Sequence, residues 1–230
     1  MRYALYFTPP KADPLTALAA LWLGRDAFSN EIFSDKAIGA VPQNHAEITA
    51  DPRRYGFHAT LKAPFELASS VTERDLLDVA ADFAARTPAF TIPELVLGQL
   101  GQFFALVPGA VYPTLQDFAA RVVKTFEPLR AALSQADIAR RNPEGLTEAE
   151  RANLLRWGYP YVNDEFRFHM TLTGKVAAEQ QAGIHDLLRD RFSAHIGKPL
   201  DISGVAIFVE EERGAPFIVR SWLPLADAQK

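Results

Sequence analysis

The chain has 230 residues, a formal net charge of −4 and no cysteine, which suits one large domain or two small lobes sharing a core. Without thiols there are no disulfides, cysteine nucleophiles or thiolate metal sites. The mildly acidic balance argues against gripping long nucleic acid, whose phosphates call for Lys and Arg, but leaves room for a small anion on a local positive patch.

The opening "MRYALYFTPP" holds one basic residue and a short alternating run that meets two prolines. It reads as a strand rather than a signal peptide. No apolar stretch approaches the roughly 20 residues of a membrane span, so the cytoplasm is the default placement. A helix follows at "DPLTALAALWLGRD", with Asp13 as N-cap and Pro14 at the first helical position. Residues 27–54 lack periodicity and read mostly as loop; a loop this long in a compact domain usually carries function or local order. "YGFHATLKAPF" then reads as a strand. "TERDLLDVAADFAAR" is an amphipathic helix capped by Thr72, and "AFTIPELVLGQLGQFFALVPG" is two strands turning near residues 100–102.

A second strong helix covers "YPTLQDFAARVVKTFEPLRAAL". The polar insert at residues 136–161 holds a short helix with a Thr147/Glu150 capping box. "FRFHMTLTGKV" reads as another strand and "AAEQQAGIHDLLRDRFSAHIG" as a helix. "LDISGVAIFVEE" and "PFIVRSWLPL" form a hairpin across "ERGA".

Two of these stretches share Phe-His-x-Thr-Leu, and after each comes a helix and two strands. From His58 to Phe104 is 46 residues, and from His169 to Phe217 is 48. This spacing indicates a duplicated unit with an approximate two-fold axis that brings both histidines to one cleft. The predicted fold class is α+β: one bilobal domain over 1–230, with two antiparallel sheets lining a central cleft and helices outside. The first lobe covers about 27–110, the second about 162–225, and the helical insert about 136–161.

Side chains alternate along a strand. His58, Thr60 and Lys62 therefore share one polar face, and Arg167, His169, Thr171 and Thr173 share another. Imidazole titrates near neutral pH, so one ring can accept a proton while a second donates one. The neighbouring hydroxyls can bond the oxygens of a tetrahedral anion, which suits phosphoryl transfer. A metal pair, a braced core and a non-catalytic binder of phosphates remain alternatives. No carboxylate lies beside either histidine on these faces, so neither metal nor cofactor is expected.

"RYGFHATLKAPF" with "FRFHMTLTG" resembles the two-histidine (2H) phosphoesterase superfamily, and more narrowly its DUF1045 branch, often encoded beside phosphonate-degradation genes. The resemblance implies a bilobal α+β fold and metal-independent cleavage or formation of cyclic phosphodiesters. It implies His58 and His169 as the acid/base pair and Thr60 and Thr171 as phosphate binders. The acidic charge and the insert turn the expectation from polymeric RNA towards a small cyclic phosphate or phosphoribosyl compound. A hydrolase is expected, with a ligase or transferase running the same chemistry as the alternative. Lys62 and Tyr6 are candidate substrate contacts. Arg53, Arg54, Arg140, Arg141 and Arg156 are candidates to flank the cleft. Trp157, Tyr159 and Tyr161 could stack on a base or ribose, and the insert is a candidate lid. His45, in the long loop, could reach a site; His185 and His195 read as helix-end or surface residues.

Overall fold

A computed structural model describes residues 1–227. The first strand, β1 (Arg2–Phe7), gives way at the prolines to α1 (Pro14–Leu23). Asp13 caps this helix by accepting from the Leu15 amide at 2.8 Å, and Gly24 ends it at a φ of 81°. Residues 27–54 are loop for rather more than half their length, but they are locally ordered. They contain the short helices α2 (Asp35–Ile38), α3 (His45–Ile48) and α4 (Ala50–Tyr55), too brief for periodicity to reveal.

β2 (Ala59–Phe65) carries the first phrase. α5 (Glu73–Ala85) starts with a reciprocal Thr72/Asp75 capping box, and the hairpin β3 (Phe90–Leu100) and β4 (Phe103–Pro108) turns where expected. α6 (Pro113–Phe126) follows, then α7 (Gln135–Arg140) and α8 (Glu148–Trp157) in the insert. The second phrase forms only a two-residue strand, β5 (Met170–Thr171). The remainder is α9 (Gln181–Arg191), β6 (Lys198–Ile202), β7 (Gly204–Glu210) and β8 (Ile218–Pro224).

The strands form one eight-stranded antiparallel sheet, in the order β6-β3-β4-β5-β2-β1-β7-β8, rather than the expected two sheets. Its middle is a narrow seam, where β2 meets β5 through Ala59 and Met170. "LDISGVAIFVEE" is also not one strand. It breaks at Ser203, with β6 pairing β3 at one edge of the sheet and β7 pairing β1 near the other. A single residue cannot span a flat sheet of this width, because strands stand about 4.8 Å apart. The sheet therefore curls until its two ends meet at Ser203.

The sheet order also cuts across the lobes expected from the repeat. β3 and β4 follow the first histidine in sequence yet lie beside the second, while β7 and β8 follow the second yet lie beside the first. Tyr3, Leu5 and Phe7 face the main core, which also takes Trp22, Phe83, Phe118 and Phe126 from the helices. Ala4 and Tyr6 point the opposite way, into a small cluster with Ala206, Phe208 and Phe217. That cluster floors the cleft beneath the first histidine.

Candidate active site

The Ala59–Met170 pairing fixes the geometry at the seam. Both residues are fully buried, so their neighbours along each strand point to the opposite, cleft side. One step either way, the antiparallel register sets His58 across from Thr171 and Thr60 across from His169. Directly opposed residues stand about 5 Å apart at Cβ and diagonal ones about 7–8 Å, which is the relation between the two histidines.

Each imidazole is held by the same device. Nδ1 of His58 bonds the carbonyl of Gly56 at 2.8 Å, and Nδ1 of His169 bonds the carbonyl of Arg167 at 2.7 Å. A carbonyl accepts only, so Nδ1 carries the hydrogen in both rings and a neutral ring keeps its lone pair on Nε2. Nε2 of His58 lies 3.2 Å from Thr60 Oγ1. The Tyr6 ring stacks on His58 at a centroid separation of 3.8 Å and an angle of 20°.

The backbone before His58 is itself braced. Gly56 has a φ of 78°, and a Cβ there would stand 2.5 Å from that of Ala27, so glycine is required. Arg25, buried, donates to the carbonyls of Arg53, Arg54 and Phe217 at 2.9 Å each. Burial pulls its guanidinium down to about 10.

Burial also governs the histidines. Desolvation takes His58 down to about 4 against the upward pull of the Gly56 carbonyl, with a smaller downward contribution from His169. Desolvation lowers His169 as well, opposed by the Arg167 carbonyl. Both rings are therefore neutral near pH 7 in the unliganded protein.

A cavity of about 370 Å³ opens onto His58, Thr60 and Thr171, with Tyr6, Tyr55 and Tyr159 around it. That volume suits a small metabolite. His169 lines an adjoining recess of about 200 Å³, which shares Thr60 and Tyr159 with the larger cavity. Tyr6 is in the site, but at 1% exposure it supports His58 from below.

Lys62 is a correction. It does not share the cleft face with His58, because a bulge interrupts the β1–β2 ladder: Tyr6 pairs Thr60, but Leu5 pairs Lys62. The extra residue reverses the alternation. Lys62 turns into the helical layer, buried, where its Nζ meets Glu127 at 2.6 Å. The strand exposes Ala63 and Pro64 to the cleft instead.

Of the candidate arginines, Arg141 lines the histidine cavity, and Arg54, Arg140 and Arg141 line the cavity next to it. Arg53 is tied to the Leu23 carbonyl and Thr49, and Arg156 lies over Trp157 in a separate groove. Tyr159 reaches both histidine recesses and Tyr161 only that of His169. His45 is buried against the Trp22 carbonyl, and desolvation lowers its pKa. Among the described residues no group of three or more His, Asp or Glu stands in metal-binding range, and no helix is long and apolar enough to cross a membrane. Sequence reading missed Arg2 and Tyr55. Strand parity carried the signal for Arg2, which shares a β1 face with Tyr6.

The family described as "Protein of unknown function (DUF1045)" matches residues 60–218. A protein of Janthinobacterium sp. (strain Marseille) named "Ribose 1,5-bisphosphate phosphokinase PhnN" is 38% identical over 230 residues, covering 98% of this chain and 51% of its own length. One of the same name from Laribacter hongkongensis (strain HLHK9) is 34% identical over 223 residues, covering 94% and 50%. The chain thus spans about half the length of the curated relatives it matches. A crystal structure of TT0787 of Thermus thermophilus aligns over 100% of both chains at 15% identity, with a TM-score of 0.49.

Proposed function

The chain belongs to the family described as protein of unknown function (DUF1045), and we propose that it is a phosphoesterase that opens a cyclic phosphodiester on a small nucleotide or phosphoribosyl-type substrate, without a metal ion. One observation carries this reading: two imidazoles at the entries of adjoining strands, each with Nδ1 tied to a carbonyl and each set opposite a threonine when the Ala59–Met170 register is extended by one residue.

In the proposed reaction His58 is the base. It is the more strongly desolvated ring and so stays neutral when an anion enters. Its Nε2 takes a proton from water as the water oxygen bonds to phosphorus. The ring P–O bond breaks, and the departing oxygen receives a proton from Nε2 of His169, which the bound anion has brought to the imidazolium form. The product is an acyclic phosphate monoester. Thr60 and Thr171 donate hydrogen bonds to the non-bridging oxygens, whose charge grows in the transition state. Tyr6 keeps the His58 ring in plane.

The names of the relatives fit this substrate class. A kinase of ribose 1,5-bisphosphate takes a sugar phosphorylated at two positions, and opening a cyclic phosphate on a phosphoribosyl unit yields a sugar of that kind. Replacing His58 or His169 by Ala is expected to lower kcat by about 100- to 10,000-fold each, with the fold intact by circular dichroism. Chelators are expected to leave turnover unchanged. Activity that survives either replacement, or that disappears on chelation, contradicts the proposal.

A further inference from the structure

Beside the histidine cavity lies a second one of about 360 Å³, and Arg2, Tyr55, Pro64 and Arg141 line both. Six guanidinium groups line it against two carboxylates, Glu66 and Asp137. They come from five separate stretches of chain: Arg2, Arg54, Arg130, the pair Arg140 and Arg141, and Arg213. Like charges repel, so such a gathering costs stability unless something holds it together or an anion occupies it.

The structure shows what holds it. Glu210, fully buried, accepts from Arg2 at 2.6 Å, from Arg54 at 3.0 Å and from the Gly214 amide at 2.9 Å. Burial alone would raise this carboxyl, yet these donors keep it below its ordinary range. Arg130 is anchored on Glu127, Arg140 on Asp137, and Arg213 on both Asp137 and Glu66. Arg141 has no carboxylate partner among the described residues. Its guanidinium lies over the Tyr159 ring at 5.0 Å, on the wall between the cavities. Desolvation first, and then the charges of Arg213, Arg2 and Arg141, lower Arg140 below its ordinary value.

The geometry points to a phosphomonoester subsite: the arginine cavity holds a second, non-reacting phosphoryl group on the same substrate whose cyclic phosphate meets the histidines. This deepens the proposed function and rests on it. The substrate class becomes a cyclic phosphodiester of a sugar that carries a separate terminal phosphate. A planar guanidinium fork matches phosphate oxygens in pairs, and a dianion here would offset the excess of cations.

The test compares a ribofuranosyl cyclic phosphate with and without a phosphoryl group on O5. In the parent protein kcat/KM is expected to favour the phosphorylated compound. Arg141→Gln is expected to shrink that preference by about 30-fold. Arg213→Gln, which lies outside the histidine cavity, is expected to shrink it in the same direction. Titration with ribose 5-phosphate, which has no ring phosphate to open, reads binding of the monoester group, and the His58→Ala variant separates the arginine cavity from the histidine one. Binding that Arg141→Gln weakens tenfold or more, and that His58→Ala leaves intact, supports the subsite even if no cyclic phosphate turns over. A preference untouched by both arginine variants, or no binding of ribose 5-phosphate to the parent, overturns it.

Discussion

His58 and His169 are each aimed by the carbonyl two residues before it, and the Tyr6 ring stacked on His58 gives that one a second support. Desolvation holds both rings neutral, which sets the pH behaviour. In the proposed reaction the productive free form for kcat/KM has one ring protonated and one neutral. The maximum is expected on the acid side, between about 4 and the ordinary 6.5 of histidine. In kcat the profile is expected to move upward, because a bound anion raises both rings. An optimum above pH 8 in kcat/KM contradicts this. Stability moves the same way. The unfolded chain binds protons at these histidines below about pH 6.5 while the folded site resists them, so unfolding free energy falls as pH falls through that value towards 4. The His58 share is up to about 3 kcal/mol, measurable by urea titration at two pH values. A stability that rises on acidification over this window would refute the depressed pKa. At this scale the repeated phrase offered both histidines and both threonines as candidates and the first strand offered Tyr6, and the fold gathers these side chains around two adjoining recesses. Lys62 was misplaced because one bulged residue reverses the faces of a strand, and composition leaves no mark of a bulge.

The element that matters most is the turn from α4 into β2. Gly56 must take a positive φ, its carbonyl receives the His58 ring, and Arg25 clamps the preceding carbonyls. Gly56→Ala is expected to cost about 2–4 kcal/mol, through backbone strain and the contact with Ala27. It is also expected to lower kcat, because His58 is displaced with the turn. A variant with parental melting temperature and turnover would show that the turn does not position the ring. The helices of the body were readable from their caps and periodicity, and Thr72, Thr147 and Asp13 all cap as expected. The short helices between residues 27 and 54 were not, since four to six residues carry no period. The brevity of β5 was hidden for a related reason: alternation marks which side chains can share a face, not how many residues find a hydrogen-bonded neighbour.

Across the whole molecule the repeat is visible in sequence, but its exchange of strands is not. Each phrase is followed by a hairpin that joins the other phrase's half of the sheet, and the one-residue passage at Ser203 draws the two ends together. Neither half is then complete alone. A fragment of residues 1–110 would keep β3 and β4 but lose β5 and β6, their outer neighbours, and β7 beside β1. It is expected to be largely unfolded by circular dichroism, whereas a cooperative, native-like fragment would argue against this topology. The arginine cavity belongs to the same scale. Its members lie as far apart in sequence as Arg2 and Arg213, so a net charge of −4 concealed a strongly cationic recess. Whether the paired imidazoles open a cyclic phosphodiester with water, as proposed, is decided by incubating the protein with a set of sugar and nucleoside cyclic phosphates in 18O-labelled water and following phosphorus by NMR. The result expected is a ring-opened monoester with one labelled oxygen on phosphorus, absent when His58 and His169 are both replaced by Ala. Ring opening without label, no opening of any compound, or undiminished opening in the double variant would contradict the proposal.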